Sequence, residues 1–399
     1  MQLQRNSVLA GWRWGSLALV GLSVGLSTPA RGGAQARVTI DFASHDARTL
    51  RLGAPVYAAA EDSDDRPEAM FQSIATAFRL RDGRLIVADA STRRLALYDQ
   101  SGIVVGVWGR TGAGPGERRS LTWAVPWGRD SVMVYDRSLR RLTLYYEGEA
   151  DNLWTLDSFG PFETPTDAVG LLANGTLILQ RSIELPSTAG SARSRDVLLA
   201  ADLESKRIRQ IATVDGDEQF FRRSSTGGRI LGTPPIRRST VVAVGQAVVA
   251  VGDSDSGLVR VVNLASGNQT EIYVRDGNRT LTEAGIQARL DEILRERPTA
   301  VSPQWERLQR EMISAQRFPA FGDVRMDGED RVWIQRWDRA RQGGQSWLVL
   351  DLSNNRRYAI DLPRYCRPTQ IVSSLLTCVN YDPSELQSAR SFRLEESSR

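Results

Sequence analysis

Two stretches of this chain repeat one another. Val87 to Tyr98 (VADASTRRLALY) aligns with Val134 to Tyr145 (VYDRSLRRLTLY) at an offset of 47 residues, setting Asp89 on Asp136, Ser91 on Ser138, Arg93-Arg94 on Arg140-Arg141, and Leu95, Leu97 and Tyr98 on Leu142, Leu144 and Tyr145. A period in the forties with alternating apolar residues marks a propeller blade, because a single small four-stranded sheet cannot bury both of its faces and must stack on neighbours.

Turn residues extend the repeat. Asp82-Gly83, Asn174-Gly175 and Asp327-Gly328 each lie between two alternating runs and predict the first hairpin of a unit. Ser101-Gly102, Ser266-Gly267 and Ser353-Asn354-Asn355 predict the last hairpin. The resulting units fall near residues 71–110, 117–160, 164–214, 237–276, 318–363 and 366–396. The sixth offers only three strands, and the lone strand Thr49 to Leu52 is expected to complete it. The predicted fold is therefore an all-β, six-bladed propeller whose N-terminal strand closes the last blade and removes the exposed edges.

Residues 279–316 leave this pattern. Thr280 with Glu283 predicts a capping box, and Ile286, Leu290, Ile293 and Leu294 fall on one helical face. Pro298 stops that helix; Ser302 with Pro303 predicts the start of a second, with Trp305, Leu308 and Met312 on a shared face. The segment is expected to be a helical hairpin inserted between the fourth and fifth blades, acting either as packing at one end of the ring or as a lid or partner-binding arm.

Gly15 to Leu26 is an apolar run of twelve residues behind Arg5 and Arg13. It is shorter than the roughly 20 residues a bilayer span needs and suits an export signal. Ala34-Gln35-Ala36 supplies a small-x-small cleavage pattern, so residues 1–36 are read as a signal peptide and 37–399 as one mature domain. The mature chain is expected in the periplasm or outside the cell, not membrane-spanning and monomeric. Its two cysteines, Cys366 and Cys378, then meet an oxidising compartment, where a disulfide is the expected state and two buried thiols the alternative.

Charge argues against nucleic acid. The chain has 51 basic and 47 acidic residues, but Arg5, Arg13 and Arg31 lie in the signal, leaving 48 against 47. Arginine pairs at 93-94, 118-119, 140-141, 222-223, 237-238 and 356-357 recur with the blades. They either pack and pair with blade carboxylates such as Asp89 and Asp136 or ring one face as an electropositive mouth.

Gly109 to Glu117 (GRTGAGPGE) resembles the glycine-rich link between NHL repeats, and Val87-Ala88-Asp89 with Arg94 to Tyr98 resembles the NHL strand pair. The stretches FPAFGDVRMDGEDRVWIQRW, QSWLVLDL and CRPTQIVSSLLTCVNYDPSELQSARSFRL are similar to the last two blades of exported bacterial six-bladed propellers of NHL type. The resemblance implies the fold and a binding surface for a protein or small ligand. Lyases of this architecture hold zinc through several histidines, and this chain has only His45. A calcium-dependent lactonase or carbohydrate-directed enzyme, similar to the gluconolactonase group, would need acids and amides converging at the channel. Asp89, Asp136, Asn174, Asp253, Glu271 and Asn380 are the available donors.

Asp253-Ser-Asp255-Ser-Gly257 starts like a calcium loop but has Leu264 at the twelfth position, so it is read as a hairpin turn; Glu61 to Asp65 is read as a solvated acidic loop. No Gly-x-Ser-x-Gly elbow is present. No catalytic residue, metal site or cofactor is assigned, with Ca2+ as the alternative. Trp123 and Trp127, of like parity on a strand expected to line the channel, are the candidate ligand contacts. The reading favoured is a non-enzymatic binding or scaffold module.

Overall fold

The structure, a computed structural model, describes residues 35–43, 46–59, 71–160, 166–184, 189–223, 229–295, 303–315, 317–337, 344–381 and 387–397. The apolar run of the expected signal, His45, the acidic run at 61–65 and Ser302 lie outside the described residues.

The strands form antiparallel sheets in chain order, each with its first strand at one edge and its last at the other. Sheet A comprises Ile74–Arg79, Leu85–Asp89, Arg94–Tyr98 and Val104–Trp108. Sheet B comprises Trp123–Trp127, Ser131–Asp136, Arg141–Tyr146 and Glu149–Thr155. Sheet C comprises Thr166–Leu171, Thr176–Glu184, Gly190–Asp202 and Ile208–Arg223, with Arg229–Gly232 added. Sheet D comprises Thr240–Val244, Val248–Asp253, Leu258–Asn263 and Gln269–Arg275. An eight-stranded sheet holds Asp323–Met326, Val332–Gln335, Gln345–Asp351 and Arg356–Leu362 in its half E, and Cys366–Val372, Leu375–Asn380 and Ser388–Glu396 in its half F.

Alternation dictates how these sheets stack. Side chains on a strand point to opposite faces with period two. In Leu85–Asp89, Ile86 and Ala88 pack with Ala124, Val132 and Val134 of sheet B, while Leu85 and Val87 pack with Tyr57, Val379 and Ala389 of half F. In Gln345–Asp351, Leu348 and Leu350 face sheet D, while Trp347 and Val349 face half F. Similar seams join B to C and C to D. Every sheet is thus buried on both faces, and the seams run from A through F and back to A. That closed stack is a β-propeller.

Hydrogen bonds cross the seams as well. The Thr76 hydroxyl donates to Ala124 O and accepts from the Ala124 N–H at 3.1 Å, and Thr369 donates to Ala77 O at 2.7 Å. The Gln370 amide brackets Arg79, accepting from its N–H at 2.7 Å and donating to its carbonyl at 3.0 Å.

The N-terminal segment closes the ring over a longer span than Thr49 to Leu52. Arg48–Ala59 starts parallel to half E, at Tyr358 and Ala359, then runs antiparallel to half F from Leu50↔Glu396 to Ala59↔Ala389. A further strand had no sequence-based expectation: Gln35–Asp41 lies parallel along the outer edge of sheet D, with Val38 opposite Ile272. Sheet C also runs past its predicted end at 214, to Gly232. Cys366 and Cys378 form the disulfide, at a Cα separation of 5.2 Å.

Turn chemistry follows expectation at Gly83, Gly102, Gly175 and Gly267, whose φ angles are 90°, 80°, 84° and 75°. The Asp327-Gly328 turn differs, since its left-handed residue is Asp330. Gly328 serves close approach instead: its N–H donates to Ile371 O at 2.8 Å, and a Cβ there would lie 3.3 Å from Val372.

Candidate functional site

In these sheets the first strand begins, and the second ends, at the same end of the ring. The long departures from the repeat gather there. Helix α1 (Glu283–Arg295) and helix α2 (Pro303–Glu311) follow sheet D, and Arg310 of α2 donates to Glu283 and Gln287 of α1. The cap of α1 is Thr282 rather than Thr280. The Thr282 hydroxyl accepts from Gly285 N–H at 3.1 Å, whereas Thr280 bonds Asn278 and bridges to Arg317. A hydroxyl must lie one residue before the helix to reach that amide, and Thr280 lies too far upstream.

The helices pack on the prolonged strands of sheet C. Ser191 donates to Met312 O at 2.6 Å, Arg222 pairs with Glu311 at 2.8 Å, and the buried Glu218 carboxylate accepts from Arg238 at 2.7 Å and from Ser314. Burial alone would raise the Glu218 pKa; the hydrogen bonds from Arg238 and Ser314 outweigh it and hold the carboxyl below its ordinary value. An apolar cluster of Ile236, Ala315 and Phe318 with Leu281, Ile286, Ile313 and Trp337 fixes this crown to half E.

Trp337 leads into a cleft between halves E and F with a volume of about 180 Å³, lined by Asp323, Arg325, Gln335, Arg336, Trp337, Gln345, Trp347, Arg364, Arg367 and Tyr381 among others. Among the described residues, four guanidinium groups meet one lining carboxylate. Arg325 pairs with Asp323 at 2.8 Å, Arg336 reaches out to Asp276 at 2.9 Å, and Arg364 stands 3.9 Å from the buried Glu292 of α1. Arg289 of α1, itself 2.5 Å from Glu292, lies 5.8 Å over the Trp337 ring. Among the described residues, Arg367 donates to the main-chain carbonyls of Ile74 and Ala75. Burial lowers the Arg367 pKa, and the neighbouring Arg325 charge lowers it further. Arg367 and Tyr381 also border a second, wider hollow of about 480 Å³ over sheets F, A and B.

The residues singled out in sequence lie elsewhere. Trp123 donates its indole N–H to Ala168 O at 2.8 Å and packs 5.4 Å from Tyr135. Trp127 joins it in the apolar cluster between sheets B and C, and neither lines the cleft. Asp89 accepts from Ser91 and Thr92, Asp136 from Ser120, Arg119 N–H and Leu139 N–H, and Asp253 from Arg193 and Ser256 N–H. The Asp253 turn closes as a hairpin between Val248–Asp253 and Leu258–Asn263. Glu271 pairs with Arg37 and Arg260 on the outer part of sheet D, Asn174 sits in a hairpin turn at the opposite end of the ring, and Asn380 closes a strand of half F. Among the described residues, no group of three or more His, Cys, Asp or Glu stands close enough to hold a metal ion.

In five of the six arginine pairs at least one member is tied to the ring or its helices. Arg93 and Arg140 take left-handed φ angles of 61° and 50° and reach to the following link, Arg93 to Arg119 O and Arg140 to Thr166 O and Asp157. Asp89 and Asp136 are held by hydroxyls and amides of their own turns and links. The cleft arginines were missed because they stand singly. Arg325 and Arg367 nonetheless occupy the first strands of the last two units, a signal available in the sequence.

No family model and no curated protein matches the chain. Among solved structures it is similar to a presumed exported protein of Bacteroides fragilis, at 12% identity and a TM-score of 0.51, covering 92% of this chain and 100% of that one. It is equally similar to a member of the DUF4221 family from Bacteroides vulgatus, at 12% identity and a TM-score of 0.51, covering 88% of this chain and 99% of that one. At such identity the likeness bears on the fold, which is that of a propeller. No helix among the described residues is long and apolar enough to cross a membrane.

Proposed function

We propose that the chain is an exported, six-bladed propeller of NHL type that works as a binding module, with its helix-bearing end as the functional face. Counting the halves of the eight-stranded sheet as two blades gives six units, with residues 279–316 an insertion between the fourth and fifth. Export rests on the short apolar run with its small-x-small site and on a disulfide suited to an oxidising compartment.

One observation carries the functional reading. The end that departs from the repeat also holds the E–F cleft, whose side chains are hydrogen-bond donors and aromatic rings rather than a nucleophile beside a base. A rigid ring that concentrates its irregular elements around one cavity is organised to hold a ligand there. The cation-dependent lactonase or carbohydrate-directed enzyme requires carboxylates gathered at the channel; among the described residues Asp323 is the one carboxylate lining the cleft.

The test is to replace residues 279–316 with a short Gly/Ser linker and compare thermal shifts of the two proteins across a panel of neutral sugars, sugar acids and amino acids. Shifts present in the intact protein and lost in the folded variant support the reading. Shifts that survive helix removal take the helices out of the binding role, and calcium-dependent turnover of gluconolactone by the intact protein would establish the enzymatic alternative. Fractionation by osmotic shock tests export, and retention of Met1 in the mature protein would contradict it.

A further inference from the structure

We propose that the E–F cleft is a site for a small organic oxyanion, held between Arg325 and Arg367 and resting against Trp337 and Tyr381. The proposal deepens the binding reading above by naming the chemistry of the ligand. Three observations converge on it, and the first is charge. Arg336, Arg325 and Arg364 each have a carboxylate within 4 Å, at 2.9, 2.8 and 3.9 Å. Arg367 has none among the described residues; its only acceptors are the carbonyls of Ile74 and Ala75. A guanidinium offers five N–H donors, so two main-chain contacts leave donor capacity on a side chain that lines the cleft.

The second is the mutual position of Arg325 and Arg367. Their charges are near enough for Arg325 to depress the ionisation of Arg367, with Asp323 the one carboxylate beside them among the described residues. A second anion at this point would neutralise the pair, and the planar fork of arginine matches the two oxygens of a carboxylate or phosphate group.

The third is a pair of orphan donors. The indole N–H groups of Trp337 and Trp347 are buried without a hydrogen-bond partner among the described residues, although both side chains line the cleft. Indole nitrogen can only donate. Lone guanidinium capacity and two idle N–H groups therefore call for the same thing, a ligand rich in acceptor oxygens. The Trp337 and Tyr381 rings add apolar surface that a bare inorganic ion would not use. A volume of about 180 Å³ lies below the roughly 300–1,000 Å³ of pockets for drug-sized ligands, which limits the occupant to about the size of one sugar or aromatic acid.

Calorimetry on the full mature chain at low salt tests this with three probes: glucuronate, glucose 1-phosphate and the neutral methyl glucoside. The expected result is one-site binding of at least one of the two anions, weakened at least about tenfold, or roughly 1.4 kcal/mol, in both Arg325→Gln and Arg367→Met, and weakened by added salt. Binding of glucuronate alone assigns a carboxylate, and of glucose 1-phosphate alone a phosphate ester. Arg367 also ties half F to sheet A, so Arg325→Gln, whose one ion-pair partner is Asp323, is the variant that separates binding from folding. Failure of both anions at roughly 10 mM, or undiminished affinity in Arg325→Gln, overturns the oxyanion site. Equal binding of methyl glucoside and the anions would also overturn it while leaving the broader binding reading intact.

Discussion

The turns of sheets A and B and the seam between halves E and F are built from the same residue types and use them differently. At the repeat, Arg141 commits its guanidinium to the carbonyls of Ala113, Gly114 and Glu117, and Arg118 lies buried against the Tyr145 ring while donating to Trp108 O and Arg93 O. Gly109 makes room for this, since a Cβ there would fall 1.7 Å from the Arg118 guanidinium. At the seam, Arg325 and Arg367 share one carboxylate and two carbonyls and border a cavity. The repeat arginines are shut inside the scaffold, where Arg118 Nη1 and Arg141 Nε stay buried without a partner among the described residues, whereas the seam arginines border a cavity that a ligand can enter.

The contrast breaks most severely if the ring is opened. Deleting residues 37–53 removes the parallel start of the closing strand and most of the strand along sheet D. The expected outcome is aggregation or loss of a cooperative melt, read by scanning calorimetry and light scattering. A variant that melts like the parent would show that half F does not need the first half of its fourth strand.

Next in size is the repeat aspartate. Asp136→Ala removes a buried acceptor of three hydrogen bonds and should destabilise by about 3–4 kcal/mol, measured by denaturant titration. Burial pushes the Asp136 pKa up, but the Ser120 hydroxyl and the Leu139 and Arg119 amides outweigh it and hold the carboxyl low. Its stabilising contribution is therefore complete above the ordinary carboxylate pKa of about 3.9 and is lost as pH falls through the lower folded value. Parent and Asp136→Ala should accordingly converge in stability in strong acid, and a gap that stays constant down to pH of about 2 would contradict this assignment.

The disulfide comes third. Closing so short a loop restricts the unfolded chain, and Cys378→Ser should cost about 3 kcal/mol in the chain-entropy view. Thiol labelling of the native and unfolded parent without reductant should find no free cysteine. Smaller again is Thr282→Ala, which removes the cap of α1 and should lower stability by about 1 kcal/mol, with Thr280→Ala costing less. The reverse order would restore Thr280 as the cap.

The scaffold was far more legible in the sequence than the site. Leu85 to Ala88 stood out as an alternating run behind the Asp82-Gly83 turn, and Gly102 marked the last hairpin of the unit, because period and positive φ are local properties. The strand Gln35–Asp41 carried an alternating Val38 and Ile40 as well, yet its place beside Gln269–Arg275 depends on contacts more than two hundred residues away. The cleft is harder still to see. Arg325 and Arg367 lie in different halves of one sheet, and what distinguishes them from Arg118 or Arg141 is the cleft they border, a property of the assembled seam. Trp123 drew attention through its parity, but its indole N–H already has Ala168 O.

The most direct test of this division compares the melting temperatures of Arg141→Gln and Arg325→Gln side by side. Loss of a buried fork to three carbonyls should lower the first by several degrees, whereas the second, losing a half-exposed pair with Asp323, should stay within about 0.5 kcal/mol of the parent. Equal losses in the two variants would mean that the seam arginine is scaffold like the repeat arginine, and the contrast between them would fall.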